Sequence, residues 1–358
     1  MRFRTTERKC RDIPTSSSVS TLIISMILRN LHFTPALGYL LITVPAMVCG
    51  CAGDKLHEAH THQNNVILLS SYKSKAAEGS TLDIFAFEND RMKRLDSYQR
   101  VEDFTGNRVV ISSTAGEKTF FLCADGQRNR YEWGDISSYY SLEDICCELE
   151  HETHERRVLT GEFTTTAGDM RATALLKPLT CEITVKAICC DFSGTPYAGS
   201  VIQDARAYIT NVNASCPLLY TENSHAARII NMGMLNQAEL KQFKSKDIIM
   251  QDIAPEIGRT TIYPDACFLC YPNTPEDESP GSPFTRLVIE GKIDSHTCYW
   301  PITVNAPEGV IRGCRYVYDI FIRRKGVTDP DIPIDPTSME IKMNIRKWND
   351  IDEYSVGF

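Results

Sequence analysis

The sequence predicts a mostly β protein built as two tandem β-sandwiches with few short helices. Three observations carry that expectation: apolar and polar residues alternate in many runs of roughly five to nine residues, turn formers separate the runs, and helical periodicity is scarce. With 42% hydrophobic and 23% charged residues among 358, the chain has the balance of an ordinary globular protein. Its formal net charge of −8 gives no reason to expect a nucleic-acid partner.

Residues 1–50 lie outside the predicted fold. Ala36–Val48 (ALGYLLITVPAMV) carries no charge. It falls short of the roughly 20 residues a spanning helix needs, but suits the apolar core of a signal peptide. Arg29 and His32 form its weakly basic flank. Val48-Cys49-Gly50-Cys51 then resembles a bacterial lipobox: an aliphatic residue, two small ones, and the cysteine that becomes the lipid-bearing N-terminus. A start at Met26 gives a signal of ordinary length, with Met1–Ser25 an over-extension. The alternative is a short transmembrane anchor with Cys51 an ordinary thiol. Several acyl chains, at about 0.8 kcal/mol per buried methylene, hold a protein more firmly than one marginal chain.

Residues 51–65 read as a lipid-attached polar spacer, and the strands follow in order. Val66–Ser70 and Leu82–Phe87 open an N-terminal sandwich (residues 66–192), the second strand ending at Glu88-Asn89-Asp90. Arg108–Ser112 and Thr119–Cys123 flank Ala115-Gly116-Glu117 and read as a hairpin. Leu142–Leu149 reads as a short helix capped by Ser141. In Cys181–Ala187, residues Cys181, Ile183, Val185 and Ala187 point one way and Glu182, Thr184 and Lys186 the other, as when one face covers a core. Turn formers in Asp191–Gly199 place a domain boundary there, and residues 193–358 form the C-terminal sandwich. Its elements are a strand at Ala205–Val212, a short helix at Gln237–Phe243, a strand at Cys267–Tyr271, and a hairpin of Thr285–Ile293 with Thr297–Val304. Cys314–Arg323 alternates strictly. Prolines make Thr328–Thr337 an extended connector. Ile341, Met343 and Ile345 then alternate with Lys342, Asn344 and Arg346, and Tyr354, Val356 and Phe358 close the chain.

Chemistry is scarce. Of fourteen cysteines, Cys10 and Cys49 leave with the signal and Cys51 takes lipid; an odd number remains, and no disulfide connectivity is assigned. Cys267 and Cys270 have CxxC spacing, but on a strand they face opposite sides and no second pair completes a zinc site. His151-Glu152-Thr153-His154 has one residue too few between its histidines to bring both onto one helix face. His57, His60 and His62 lie in the spacer. Asp329, Asp331 and Asp335 sit among prolines, where a connector explains them better than calcium. Asn213-Ala214-Ser215 is a sequon only in a eukaryotic secretory pathway. No nucleophile–base pair stands out, so the expectation is a non-enzyme with no cofactor, no metal and no small-molecule substrate.

Several segments together carry a resemblance: Leu82–Phe87 with Leu95-Asp96-Ser97-Tyr98, Leu159-Thr160-Gly161-Glu162, Asp191–Gly199, Cys270-Tyr271-Pro272-Asn273, Phe284–Gly291, Arg315–Ile320, Thr328-Asp329-Pro330-Asp331 and Trp348-Asn349. In this order, and behind a lipobox, they resemble the FimB-like fimbrial anchor lipoproteins of the Bacteroidales, which serve type V pili. The resemblance implies transthyretin-like sandwiches, an outer-membrane lipid anchor at the base of a surface fimbria, and a pilin partner joined by β-strand donation. This chain departs from the family in its long N-terminal extension and its cysteine content. The candidate donor strands are Ile341, Met343 and Ile345, or Tyr354, Val356 and Phe358. A surface glycan-binding lipoprotein is the alternative, with Trp133, Tyr139, Tyr140 and Trp300 as candidate platforms.

Overall fold

The alternating runs become strands grouped in facing sheets. A computed structural model describes residues 64–347, except 71–79, 105–108, 128–132, 168–171, 222–223, 225, 227, 232–239 and 276–282. The strands are β1 (Asn64–Ser70), β2 (Leu82–Glu88), β3 (Leu95–Val101), β4 (Val109–Ser113), β5 (Gly116–Ala124), β6 (Cys146–Glu148), β7 (Leu159–Ala167), β8 (Ala172–Ala174), β9 (Lys177–Pro178) and β10 (Cys181–Cys190). They continue as β11 (Ile202–Thr210), β12 (Val212–Asn213), β13 (Ser215–Pro217), β14 (Ile229–Ile230), β15 (Met250–Ile257), β16 (Ala266–Cys270), β17 (Arg286–Ile293), β18 (His296–Thr303), β19 (Cys314–Ile322) and β20 (Met339–Lys347).

In the first sandwich a five-stranded sheet, β3-β2-β5-β7-β9, faces a three-stranded sheet, β4-β1-β8. Leu82, Ile84, Ala86, Phe120 and Leu122 fill the space between them together with Val109, Ile111 and Ala174. The other face of the five-stranded sheet carries Phe85, Phe87, Phe121 and Cys123, and these join the large core that runs through the second sandwich. That sandwich pairs the sheet β16-β10-β19-β20 with the sheet β15-β11-β17-β18. β10 therefore hydrogen-bonds in the second sandwich, antiparallel to β16 and parallel to β19.

The predicted hairpin around Ala115-Gly116-Glu117 does not form. β4 pairs with β1, whereas β5 pairs with β2 and β7, so the chain turns a corner from one sheet to the other. Gly116, at φ +116°, makes the turn where a side chain would be strained. Asp96 pins the corner by accepting from the Thr114 amide (3.0 Å) and hydroxyl (2.5 Å). The fully buried Lys118 reaches Glu88 (2.7 Å) and Thr114 Oγ1 (2.9 Å) there. The helix predicted at Leu142–Leu149 is also absent. Two 3-10 turns, Tyr139–Leu142 and Leu149–His151, bracket β6, which pairs with β13. Tertiary strand pairing overrides a weak local preference. Of the helix predicted at Gln237–Phe243, residues 237–239 lie outside the described residues, and 240–243 form a turn closed by the Phe243 amide on Leu240 O (3.3 Å).

The hairpin of β17 and β18 follows the sequence expectation closely, in register from Arg286↔Thr303 to Ile293↔His296. Asp294 and Ser295, at φ +50° and +66°, supply the positive φ pair that a tight two-residue hairpin requires. Among the described residues no helix is long and apolar enough to cross a membrane.

Candidate interaction surfaces

Two strands stand out for how they are placed. β1 is the central strand of its sheet: it runs antiparallel to β4 from Asn64↔Ser113 to Leu68↔Val109, and parallel to β8 from Leu68↔Ala172 to Ser70↔Ala174. A strand that is first among the described residues but central in its sheet is held at both edges by hydrogen bonds. Its removal would leave β4 and β8 facing each other across a gap over the apolar core, with unpaired backbone on both sides. The residues that the sequence reading assigned to signal and lipid attachment, Val48, Cys49, Gly50 and Cys51, lie outside the described residues, as do Tyr354, Val356 and Phe358.

β20 is an edge strand, antiparallel to β19 along its whole length. Ile341, Met343 and Ile345 stand opposite Ile320, Tyr318 and Tyr316, which are buried on the inner face of the sheet. The apolar row of β20 thus continues that inner face, yet Ile341 is 37% exposed, Met343 36% and Ile345 47%. Beside Ile341 lies a cleft of about 410 Å³ lined by Pro301, Ile302, Ile334, Pro336 and Met339. The opposite face of β20 presents Lys342 and Arg346. Among the described residues, one strand therefore joins a sheet edge, an apolar row and a neighbouring cleft.

Between these surfaces the two sandwiches are locked by buried polar groups. Glu152, fully buried, accepts from Tyr271 Oη (2.8 Å), the Val158 amide (3.1 Å) and Gln127 Nε2 (3.3 Å). Burial pushes its carboxyl up to about 7, against the hydrogen bonds from Tyr271 and Val158. Arg312 donates to four acceptors of the first sandwich: Thr160 Oγ1 (2.7 Å), Thr160 O (3.2 Å), Lys177 O (2.9 Å) and Pro178 O (3.1 Å). All are neutral, and burial holds its guanidinium below the ordinary arginine range. Glu182 sits between Arg157 and Arg315. Burial alone would raise its carboxyl, but the two guanidinium groups outweigh it and hold Glu182 below the usual range. Nothing in the local pattern around Glu152, Tyr271 or Arg312 marks them as junction residues; only the fold brings them together.

The other sequence candidates disperse. Cys270 is buried and Cys267 partly exposed on the other face of β16. Among the described residues no group of three or more potential ligands converges on one point. His154 contacts Asp247 (3.2 Å) and His151 contacts Glu150 (3.2 Å). Asp335 caps the 3-10 turn Pro336–Ser338 by accepting from the Thr337 amide, and Asp329 accepts from the Asp331 amide (both 2.8 Å). Asn213 is 3% exposed and donates to Pro272 O (2.8 Å), so its amide is committed to the core. Trp300 is fully buried with its indole donating to Arg324 O (3.0 Å), and Trp133 stacks on Phe85 at 5.3 Å; neither forms a surface platform.

No protein-family model and no curated protein matches the chain. Solved structures do share its fold. One is a protein assigned to cell adhesion from Parabacteroides distasonis ATCC 8503, at TM-score 0.59 and 14% identity over 80% of this chain and 97% of that one. Another, assigned likewise, comes from Bacteroides eggerthii DSM 20697, at TM-score 0.59 and 14% identity over 80% and 96%. A fimbrilin of Porphyromonas gingivalis W83 superposes at TM-score 0.57 and 14% identity over 80% and 97%. At this identity the likeness establishes a shared fold.

Proposed function

We propose that the chain is a non-enzymatic fimbrial subunit that anchors a type V pilus to the outer membrane through lipid on Cys51. The observation that carries this reading is the position of β1. It is the central strand of the sheet β4-β1-β8 and begins at Asn64, in the last residues of the spacer that follows Cys51. In strand-exchange assembly an extended segment from one subunit fills a groove in its neighbour's sheet, with main-chain hydrogen bonds for affinity and alternating side chains for register. A subunit that polymerises as an acceptor must vacate its groove. Here the groove is filled by a segment joined to the lipid site, so vacating it by cleavage would sever the anchor. Such a chain terminates a fibre at the membrane and offers its C-terminal region to a pilin. Ile341, Met343 and Ile345, or Tyr354, Val356 and Phe358, supply the alternating apolar side chains for that contact.

The fold shared with a fimbrilin and with proteins assigned to cell adhesion supports a fimbrial role over glycan binding; of the four candidate platform residues Trp300 is buried, Trp133 and Tyr139 pack against the core, and Tyr140 is 49% exposed. The deciding experiment is a pull-down of the tagged protein from detergent-solubilised envelopes of its host, with mass spectrometry of partners and of the mature N-terminus. A lipid-modified Cys51 with a stoichiometric pilin supports the reading. A lipidated protein recovered with glycan-uptake components and no pilin would overturn it.

A further inference from the structure

No disulfide joins the eleven described cysteines to one another, but the strand register sorts them sharply. Most face something other than a thiol across their ladders: Cys123 stands opposite Asp83 and Thr160, Cys267 opposite Thr184, Cys298 opposite Gly291 and Cys190 opposite Ile322. Two pairs are direct antiparallel partners. Cys147 of β6 is opposite Cys216 of β13, and Cys181 of β10 is opposite Cys270 of β16. All four side chains are buried at 1% exposure or less. Directly opposed residues of an antiparallel ladder have Cα atoms about 4.5–5.5 Å apart, inside the span of about 4.4–6.8 Å that a disulfide bridges. Their side chains leave the sheet on the same face, as a bridge requires.

We infer that Cys147–Cys216 and Cys181–Cys270 close as two cross-strand disulfides when the chain folds in an oxidising compartment. The first bridge joins β6 and β13, covalently stapling the junction that Glu152 and Arg312 hold by hydrogen bonds. The second ties β10 to β16 within one sheet. Each bridge forms by thiol–disulfide exchange. One thiolate attacks the sulfur–sulfur bond of an oxidised dithiol donor and gives a mixed disulfide. The partner thiolate then displaces the donor's remaining sulfur, so two electrons and two protons pass to the donor for every bond made. Timing follows from burial. Native Cys181 and Cys216 are sealed from solvent and burial raises both thiols, so exchange must precede final packing. Cys314 is the nearest rival, because the parallel register Glu182↔Arg315 sets it beside Cys181. Cys146, adjacent to Cys147, is the rival for Cys216. Where the bridges form in the cell rests on the export reading above; the pairing itself does not.

The test is to refold residues 52–358 from denaturant in oxidised or reduced glutathione, alkylate, and map peptides without reduction. Oxidised refolding is expected to remove two hydrogens per bridge, to link Cys147 with Cys216 and Cys181 with Cys270, and to raise the denaturation midpoint. The C216A variant should lose only the first linkage and C270A only the second. Both variants refolded in reduced glutathione report whether the substitution itself prevents folding. Linkage through Cys314 or Cys146 instead, or thiols that stay free while the chain folds in oxidised glutathione, would overturn the inference.

Discussion

Tyr271 Oη donates to Glu152 Oε1 at 2.8 Å, joining the residue after β16 to the segment between β6 and β7. Both groups are fully buried, and the carboxyl is raised from 4.5 to about 7. In the unfolded chain it titrates near its ordinary value, so between those limits the native state holds a proton that the unfolded state has lost. Stability must therefore fall as pH rises through that window, by up to about 3 kcal/mol at 1.36 kcal/mol per unit. Denaturant titrations from pH 5 to 8 should show the decline in the native chain and a much flatter curve for Glu152→Gln. An unchanged slope in the variant would mean that Glu152 is already ionised when native.

Glu182 has the opposite sign. Its carboxyl is held below the usual range by Arg157 and Arg315, so its contribution is present above about pH 4.5 and is lost as pH falls through the lowered native value. Glu182→Ala leaves two guanidinium groups without their shared carboxylate and should cost about 3–5 kcal/mol near neutrality. Below pH 4 the gap between variant and native chain should narrow. A gap of constant size would assign the loss to packing instead of charge.

Much of this fold was legible as alternation. The β17–β18 hairpin, β10 and β19 were each visible as period-two runs, because a strand with one buried face writes its burial into the sequence. Corners were not legible. β4 and β5 look like a hairpin from their spacing, yet belong to facing sheets, since nothing in a short turn says which partner each strand will find. Leu142–Leu149 has the acidic start and apolar spacing of a helix, but β6 takes its hydrogen bonds from β13, a partner far along the chain. Glu152 and Arg312 belong to no local pattern that marks a junction, for the same reason: their burial comes from how the sandwiches pack. Ile341, Met343 and Ile345 were legible as a row, but only the sheet order shows that the row lies on an edge.

Arg312 offers a direct measure of how tightly the sandwiches are coupled. Its guanidinium binds carbonyl oxygens of Lys177, Pro178 and Thr160, each of which is left without that donor in Arg312→Met. Hydrogen bonds to a charged group contribute about 1.5–3 kcal/mol, and the apolar methionine preserves much of the volume. The variant should lose about 2–4 kcal/mol in total. It should also broaden the transition or split it in two as the sandwiches uncouple. Equilibrium unfolding followed by fluorescence from Trp300 and from Trp133 separately would reveal it; a single sharp transition with coincident probes would show that other contacts suffice.

A chain beginning at Ser80 lacks β1 and leaves β4 and β8 without their shared partner. It should be less stable and prone to associate through the vacated edges. Adding a peptide of residues 64–70 (NNVILLS) in trans should restore stability in proportion to RT ln(1 + [L]/Kd). A scrambled peptide should not. Recovery with the scrambled sequence would show that any extended segment fills the groove and that register carries no specificity.

The edge strand β20 separates stability from assembly. Ile341, Met343 and Ile345 are each more than a third exposed, so replacing all three with threonine removes less buried area than the same change in the core and keeps β propensity. Stability should change by less than about 1.5 kcal/mol. If the apolar row is the contact with a pilin, the same variant should lose the partner in the pull-down and shed fimbriae into the medium. Truncation after Trp348 distinguishes the second candidate set, since it removes Tyr354, Val356 and Phe358 and leaves β20 intact. Loss of anchoring in the threonine variant alone assigns the contact to β20, and loss in the truncation alone assigns it to the terminal residues. Normal anchoring in both, and in the two changes combined, would place the contact outside the C-terminal region altogether, because the combined variant leaves no apolar alternation there to register a strand.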